Sequence, residues 1–126
     1  MCSAPSGAII RSKRDRMGEV NTGRLDQLRA LLKEEPRDPF LLYAMALELK
    51  ARNDLHAAVV QFNELLSVDP RNIPGYYQLA VTLSEAGRSS EAIASAAEGQ
   101  RLATEQRDLK AMVELRELLQ GLDEDE

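Results

Sequence analysis

The chain has 126 residues, 44% hydrophobic and 29% charged, with a net charge of −5 and one cysteine. That is one domain's length and apolar enough to fold, while a lone Cys2 excludes an internal disulfide. No apolar run is long enough for a transmembrane helix, and the acidic balance disfavours a nucleic-acid backbone as partner.

Residues 1–20 are small, polar and charged without apolar periodicity, and they read as a disordered tail. The tail holds Arg11, Lys13, Arg14 and Arg16 against Asp15 and Glu19, a net of +2, which leaves −7 for the remainder. The basic cluster reads as solvated. Gly7-Ala8-Ile9-Ile10 is too short for the apolar part of a signal peptide, and the basic residues follow it, so the cytoplasm is the default compartment. Met17 is a second candidate start; Met17 to Thr22 then has the spacing of a myristoylation signal, a common chance match.

A helix is expected over Thr22 to Glu34, with Leu25, Leu28, Leu31 and Leu32 as its apolar stripe and Pro36 as its stop. The next spans Pro39 to Arg52, with Asp38 as N-cap and proline at the first helical position. Leu55 to Val68 follows, capped by Asp54 and closed by Pro70. Pro74 to Ala86 ends at Gly87, which turns left-handed without a side-chain clash, and Ser89 or Ser90 opens a helix to about Leu102. The last helix is expected from about Asp108 to Gln120, with Met112, Leu115, Leu119 and Leu122 along one side and Ala111 and Leu118 adjoining. Asp123 to Glu126 is an acidic tail; carboxylates at a helix C-terminus oppose the macrodipole, so fraying is expected.

These elements repeat. Pro36-Arg37-Asp38 and Pro70-Arg71-Asn72 lie 34 positions apart, and the same shift carries Tyr43 onto Tyr77, Ala46 onto Ala80, Leu49 onto Leu83 and Ala58 onto Ala92. A fixed period of this size marks a solenoid. Small residues at Ala46, Ala58, Ala80 and Ala92 allow close helix approach, and Leu42, Met45, Leu49, Phe62 and Leu65 fill the space beside them.

The pattern Leu42-x2-Met45-Ala46-x2-Leu49, then Ala58-x3-Phe62, then Pro70, resembles the tetratricopeptide repeat family. Ala46 stands in place of the family's glycine and Leu49 in place of its tyrosine; in the second unit Ala96 replaces the large aromatic and Thr104 the closing proline. The resemblance implies an all-α fold, a right-handed superhelical array of antiparallel helix pairs. We expect units at about 39–72 and 73–106, flanking helices at about 22–34 and 108–120, and one helical domain over 21–122. The first flanking helix reads as a worn half-unit and the last as a closing helix, because terminal repeats need a cap.

No catalytic constellation is visible. His56 is the only histidine, Cys2 lacks a fixed neighbour that would lower its pKa, and Gly87 stands alone rather than in a phosphate loop. The acidic tail lacks the fixed convergent geometry of a metal site. No enzyme activity, cofactor or metal is expected.

In the resembled family the first helix of each unit lines a concave groove that accepts peptides. Helical phase leaves Phe40, Tyr43, Leu47 and Lys50 on that face of the first unit, and Tyr77, Gln78, Val81, Ser84 and Glu85 on the second. Tyrosine supplies contact area at low entropic cost and a hydroxyl for hydrogen bonding. The expected function is therefore a non-enzymatic module that docks a protein or peptide partner, with structural self-association as the alternative. A bland reading also stands: the final helix or the first twenty residues cover so short a groove. Some family members grip a chaperone's terminal carboxylate with Lys and Asn; Tyr43 and Leu47 occupy the first two of those places here, which argues against that activity.

Overall fold

The computed structural model describes residues 23–125, with side chains through Asp123. The readings on residues 1–22, including the basic tail, Cys2, Met17 and the start of the first helix, lie outside the described residues, as does Glu126. Six helices are described: α1 over residues 23–34, α2 Pro39–Ala51, α3 Leu55–Val68, α4 Ile73–Glu85, α5 Ser89–Gln106 and α6 Leu109–Asp125. There is no strand among the described residues, and none of the helices is long and apolar enough to cross a membrane.

Two kinds of turn join them. Before α2 and α4 the chain makes a proline turn: the Asp38 amide donates to the Glu35 carbonyl and the Asn72 amide to the Asp69 carbonyl, both at 3.2 Å. The residue closing each turn then caps the next helix. Asp38 Oδ1 accepts from the Phe40 and Leu41 amides, and Asn72 Oδ1 accepts from the Gly75 amide. The other turns use a left-handed residue, at Asn53 (φ 64°), Gly87 (φ 79°) and Arg107 (φ 58°). Each is followed by an amide that reaches back five residues: Asp54 to Leu49, Arg88 to Leu83 and Asp108 to Ala103, all at 2.9 Å. This is the Schellman arrangement, which satisfies carbonyls at a helix end.

The helices stack as a solenoid. Each of α2 to α5 packs on the helix that follows it, and α4 also touches α6. The core runs the length of the stack: Leu42, Met45, Ala46 and Leu49 from α2, Ala58, Phe62 and Leu65 from α3, Leu79, Ala80 and Leu83 from α4, Ala92, Ala96 and Leu102 from α5, and Leu115 and Leu122 from α6. The expected small residues Ala46, Ala58, Ala80 and Ala92 are fully buried. At one end α1 contributes Leu25 and Leu28, and its Arg24 pairs with Glu48 of α2 at 2.9 Å.

Several expectations are corrected. Leu31 is 50% exposed, because it sits at the edge of the stripe that Leu25, Leu28 and Leu32 define. Asp54 occupies an N-cap position but its side chain caps nothing, since the preceding Schellman turn sets the chain's path. Helix α5 opens at Ser89, as expected, with Arg88 before it as N-cap, but it continues to Gln106 rather than ending near Leu102. The last helix does not stop at Gln120; α6 runs on through Asp125, with buried Leu122 anchoring its final turns against the core.

Candidate functional site

Helix starts along one row of the solenoid fall at Pro39, Ile73 and Leu109, steps of 34 and then 36 residues. The second step is longer because α5 has 18 residues where α3 has 14, while the turn after it is two residues shorter. In this register Asp108 follows Asp38 and Asn72 as helix cap, and its Oδ1 accepts from the Ala111 amide at 3.1 Å. The helix read as closing the array is thus the third in the row of α2 and α4.

These three helices enclose a cavity of about 330 Å³. Tyr43 lines it from α2, Ile73, Pro74, Tyr77 and Gln78 from α4, and Lys110, Ala111, Glu114 and Leu115 from α6, with Asp108 beside them. A shallower hollow of about 170 Å³ adjoins it, lined by Pro39, Phe40, Tyr43, Asn72 and Pro74. The two share Tyr43 and Pro74, so they form one trough.

Of the residues expected from sequence, Tyr43, Tyr77 and Gln78 meet in the larger cavity, and Phe40, 77% exposed, edges the smaller one. Leu47, Lys50, Val81 and Ser84 lie further along α2 and α4, half-buried, and line neither hollow. The wall from α6 was not anticipated. Its signal in the sequence is Asp108, a cap residue 36 positions after Asn72 and just before an apolar period. The reading that the last helix covers the groove is corrected: α6 packs on α5 and forms the groove's side.

Tyr43 has two roles. Its ring meets Phe62 edge-on, with centroids 6.2 Å apart at 69°, so it is held by the core while its edge faces the cavity. Burial pushes its hydroxyl pKa above the usual tyrosine value. Tyr76, one position before Tyr77, donates its hydroxyl to the Pro70 carbonyl at 3.1 Å. Among the described residues the Tyr43 and Tyr77 hydroxyls and the Gln78 side-chain amide have no such partner. His56 is exposed near the start of α3, away from the trough. No three His, Cys, Asp or Glu side chains among the described residues are placed to hold a metal.

A tetratricopeptide repeat family profile matches residues 62–94. The solution structure of a tetratricopeptide repeat domain protein from Salinibacter ruber is similar, with 31% identity, a TM-score of 0.68, and coverage of 72% of this chain and 92% of that one. The chain therefore belongs to the tetratricopeptide repeat family. More distant structures share the fold. The TPR2B domain of yeast Sti1, solved in complex with pHsp70, has 14% identity and a TM-score of 0.78 over 90% of this chain and 91% of that one. PcrH, solved with the chaperone binding region of PopD, has 12% identity and a TM-score of 0.74 over 86% of each. No curated protein sequence matches the chain. The fold is in general a non-enzymatic scaffold for protein interaction.

Proposed function

We propose that this chain is a protein-interaction module that holds an extended segment of a partner in the trough across α2, α4 and α6. The observation that carries the reading is the convergence of Tyr43 and Tyr77, one repeat apart, on a single cavity with the Gln78 amide between α4 and α6. Two rings give an apolar floor. The two hydroxyls and the amide, without partners among the described residues, suit a peptide backbone. Structures of the same fold solved with a bound partner, from Sti1 and PcrH, support a partner-binding role in general. Phe40, Leu47, Lys50, Val81 and Ser84 extend the contact along α2 and α4.

The reading is tested with Tyr43→Ala/Tyr77→Ala, captured on beads beside the wild type. Partner binding falls at least about tenfold, because buried aromatic anchors dominate such contacts, while the helical circular dichroism stays. A partner held equally by both proteins removes the groove. Self-association is a second reading, favoured by Leu109 and Val113 of α6, which are 72% and 42% exposed.

A further inference from the structure

Resting on the groove reading above, we infer that the bound segment is cationic: an extended peptide that seats an apolar side chain between Tyr43 and Tyr77 and carries arginine or lysine along the α6 wall. The sign of that wall is the first argument. A step of 36 residues lays Glu114, which lines the cavity, over Gln78, and Glu117, further along α6 and outside the cavity, over Val81, so two neutral positions of α4 become carboxylates on α6. Asp108 adds a third at the cavity's edge, and Lys110 is the single cation lining the cavity.

The second argument is what these carboxylates lack. Every acid of the preceding helix, α5, is matched: Glu91 by Arg88, Glu98 by Arg101, and Glu105 by both Arg71 and Arg101. The ion pairs formed among the described residues include none to Asp108, Glu114 or Glu117. Carboxylates spaced beside an apolar floor draw in a cation from a distance and hold it through charge-assisted hydrogen bonds. The same wall repels an acidic segment. Its sign is thus opposite to that of a lysine clamp for a terminal carboxylate.

The test pans phage-displayed random dodecapeptides on the full chain at low salt and measures the enriched sequences by fluorescence anisotropy. Peptides pairing arginine or lysine with a bulky apolar residue are expected. Their affinity falls about tenfold or more on Glu114→Lys/Glu117→Lys, and falls again with added salt. Both sites are exposed, so the variant keeps its fold. Enrichment of acidic or uncharged peptides, or of none, overturns the inference, as does equal binding to the charge-reversed variant. If such uncharged peptides are nevertheless lost on Tyr77→Ala, the groove stands and only its charge preference falls. If basic peptides ignore Tyr77→Ala and Tyr43→Ala/Tyr77→Ala alike, the groove itself falls. Binding seen only after removal of residues 1–16 makes the chain's own basic segment the occupant and overturns the assignment to a partner.

Discussion

Gly99 lies where α5 packs tightly against both α4 and α6. A Cβ there would come within 3.0 Å of Tyr76 Cβ and 3.2 Å of Leu115 Cδ2, so neither α4 nor α6 leaves room for a methyl group. Gly121 is also helical, yet a Cβ there meets nothing within 4 Å. The same substitution therefore acts in opposite directions. Gly121→Ala gains about 0.5–1 kcal/mol from helix propensity. Gly99→Ala receives the same propensity term but loses about 1–3 kcal/mol to overpacking. Thermal unfolding of the two variants checks this: the midpoint rises for Gly121→Ala and falls for Gly99→Ala. Equal shifts would mean that α5 slides away at little cost. Gly99 was not legible in the sequence, because a glycine inside a helical pattern looks like a weakness until the facing side chains are known. Ala46, Ala80, Ala58 and Ala92 were legible, because each recurs after 34 residues on an apolar face.

Among the elements, α5 carries the densest charge pairing. Arg101 reaches Glu98 at 2.6 Å and Glu105 at 2.7 Å, and Glu105 also meets Arg71 at 3.0 Å in the turn before α4. Gln106 Nε2 donates to the Arg71 carbonyl nearby, at 3.3 Å. The hydrogen bond from Arg101 holds the Glu98 carboxyl below its usual pKa, and that from Arg71, with the charge of Arg101, does the same for Glu105. A depressed folded pKa means that the pairing stabilises the fold above the unfolded carboxylate value, about 4.3. That contribution is lost as pH falls through the folded values. The groups are solvated, so the effect is modest and salt-sensitive. Arg101→Gln is expected to lose less of its thermal midpoint than the wild type between neutral and strongly acidic pH at low salt, with the difference vanishing in high salt. An identical acid response in both proteins would show the pairing to be inert. The turn after α5 explains what sequence reading missed. Proline turns announce themselves, and they were placed correctly before α2 and α4. The turn at Arg107 is made by a residue with no preference for left-handed backbone, so α5 was cut short and α6 was left out of the groove.

On the scale of the whole molecule, each helix meets near neighbours only, so among the described residues the two end helices are covered on one side. Leu109 and Val113 are the large apolar residues that α6 exposes, but Lys110, Glu114, Arg116 and Glu117 interrupt them. A patch so broken by charge lacks the continuous apolar centre expected of a stable interface, which buries roughly 1,000 Å² or more. Sedimentation over a wide concentration range is therefore expected to show one monomeric species. A dimer that Val113→Glu dissolves would restore the self-association reading. The solenoid as a whole was legible because its period is written twice. The α6 wall of the groove was not, since a step of 36 hides it from a search at 34.

One side chain on that wall has a wider meaning. Arg116 stands one 36-residue step after Ala80, the fully buried alanine on which α5 rests. A long, exposed guanidinium thus stands on α6 where α4 offers α5 a methyl group. Anyone wishing to splice an additional hairpin onto this scaffold would begin by trimming Arg116 to alanine; equal thermal midpoints for the spliced proteins with and without the arginine would show that its bulk does not matter there.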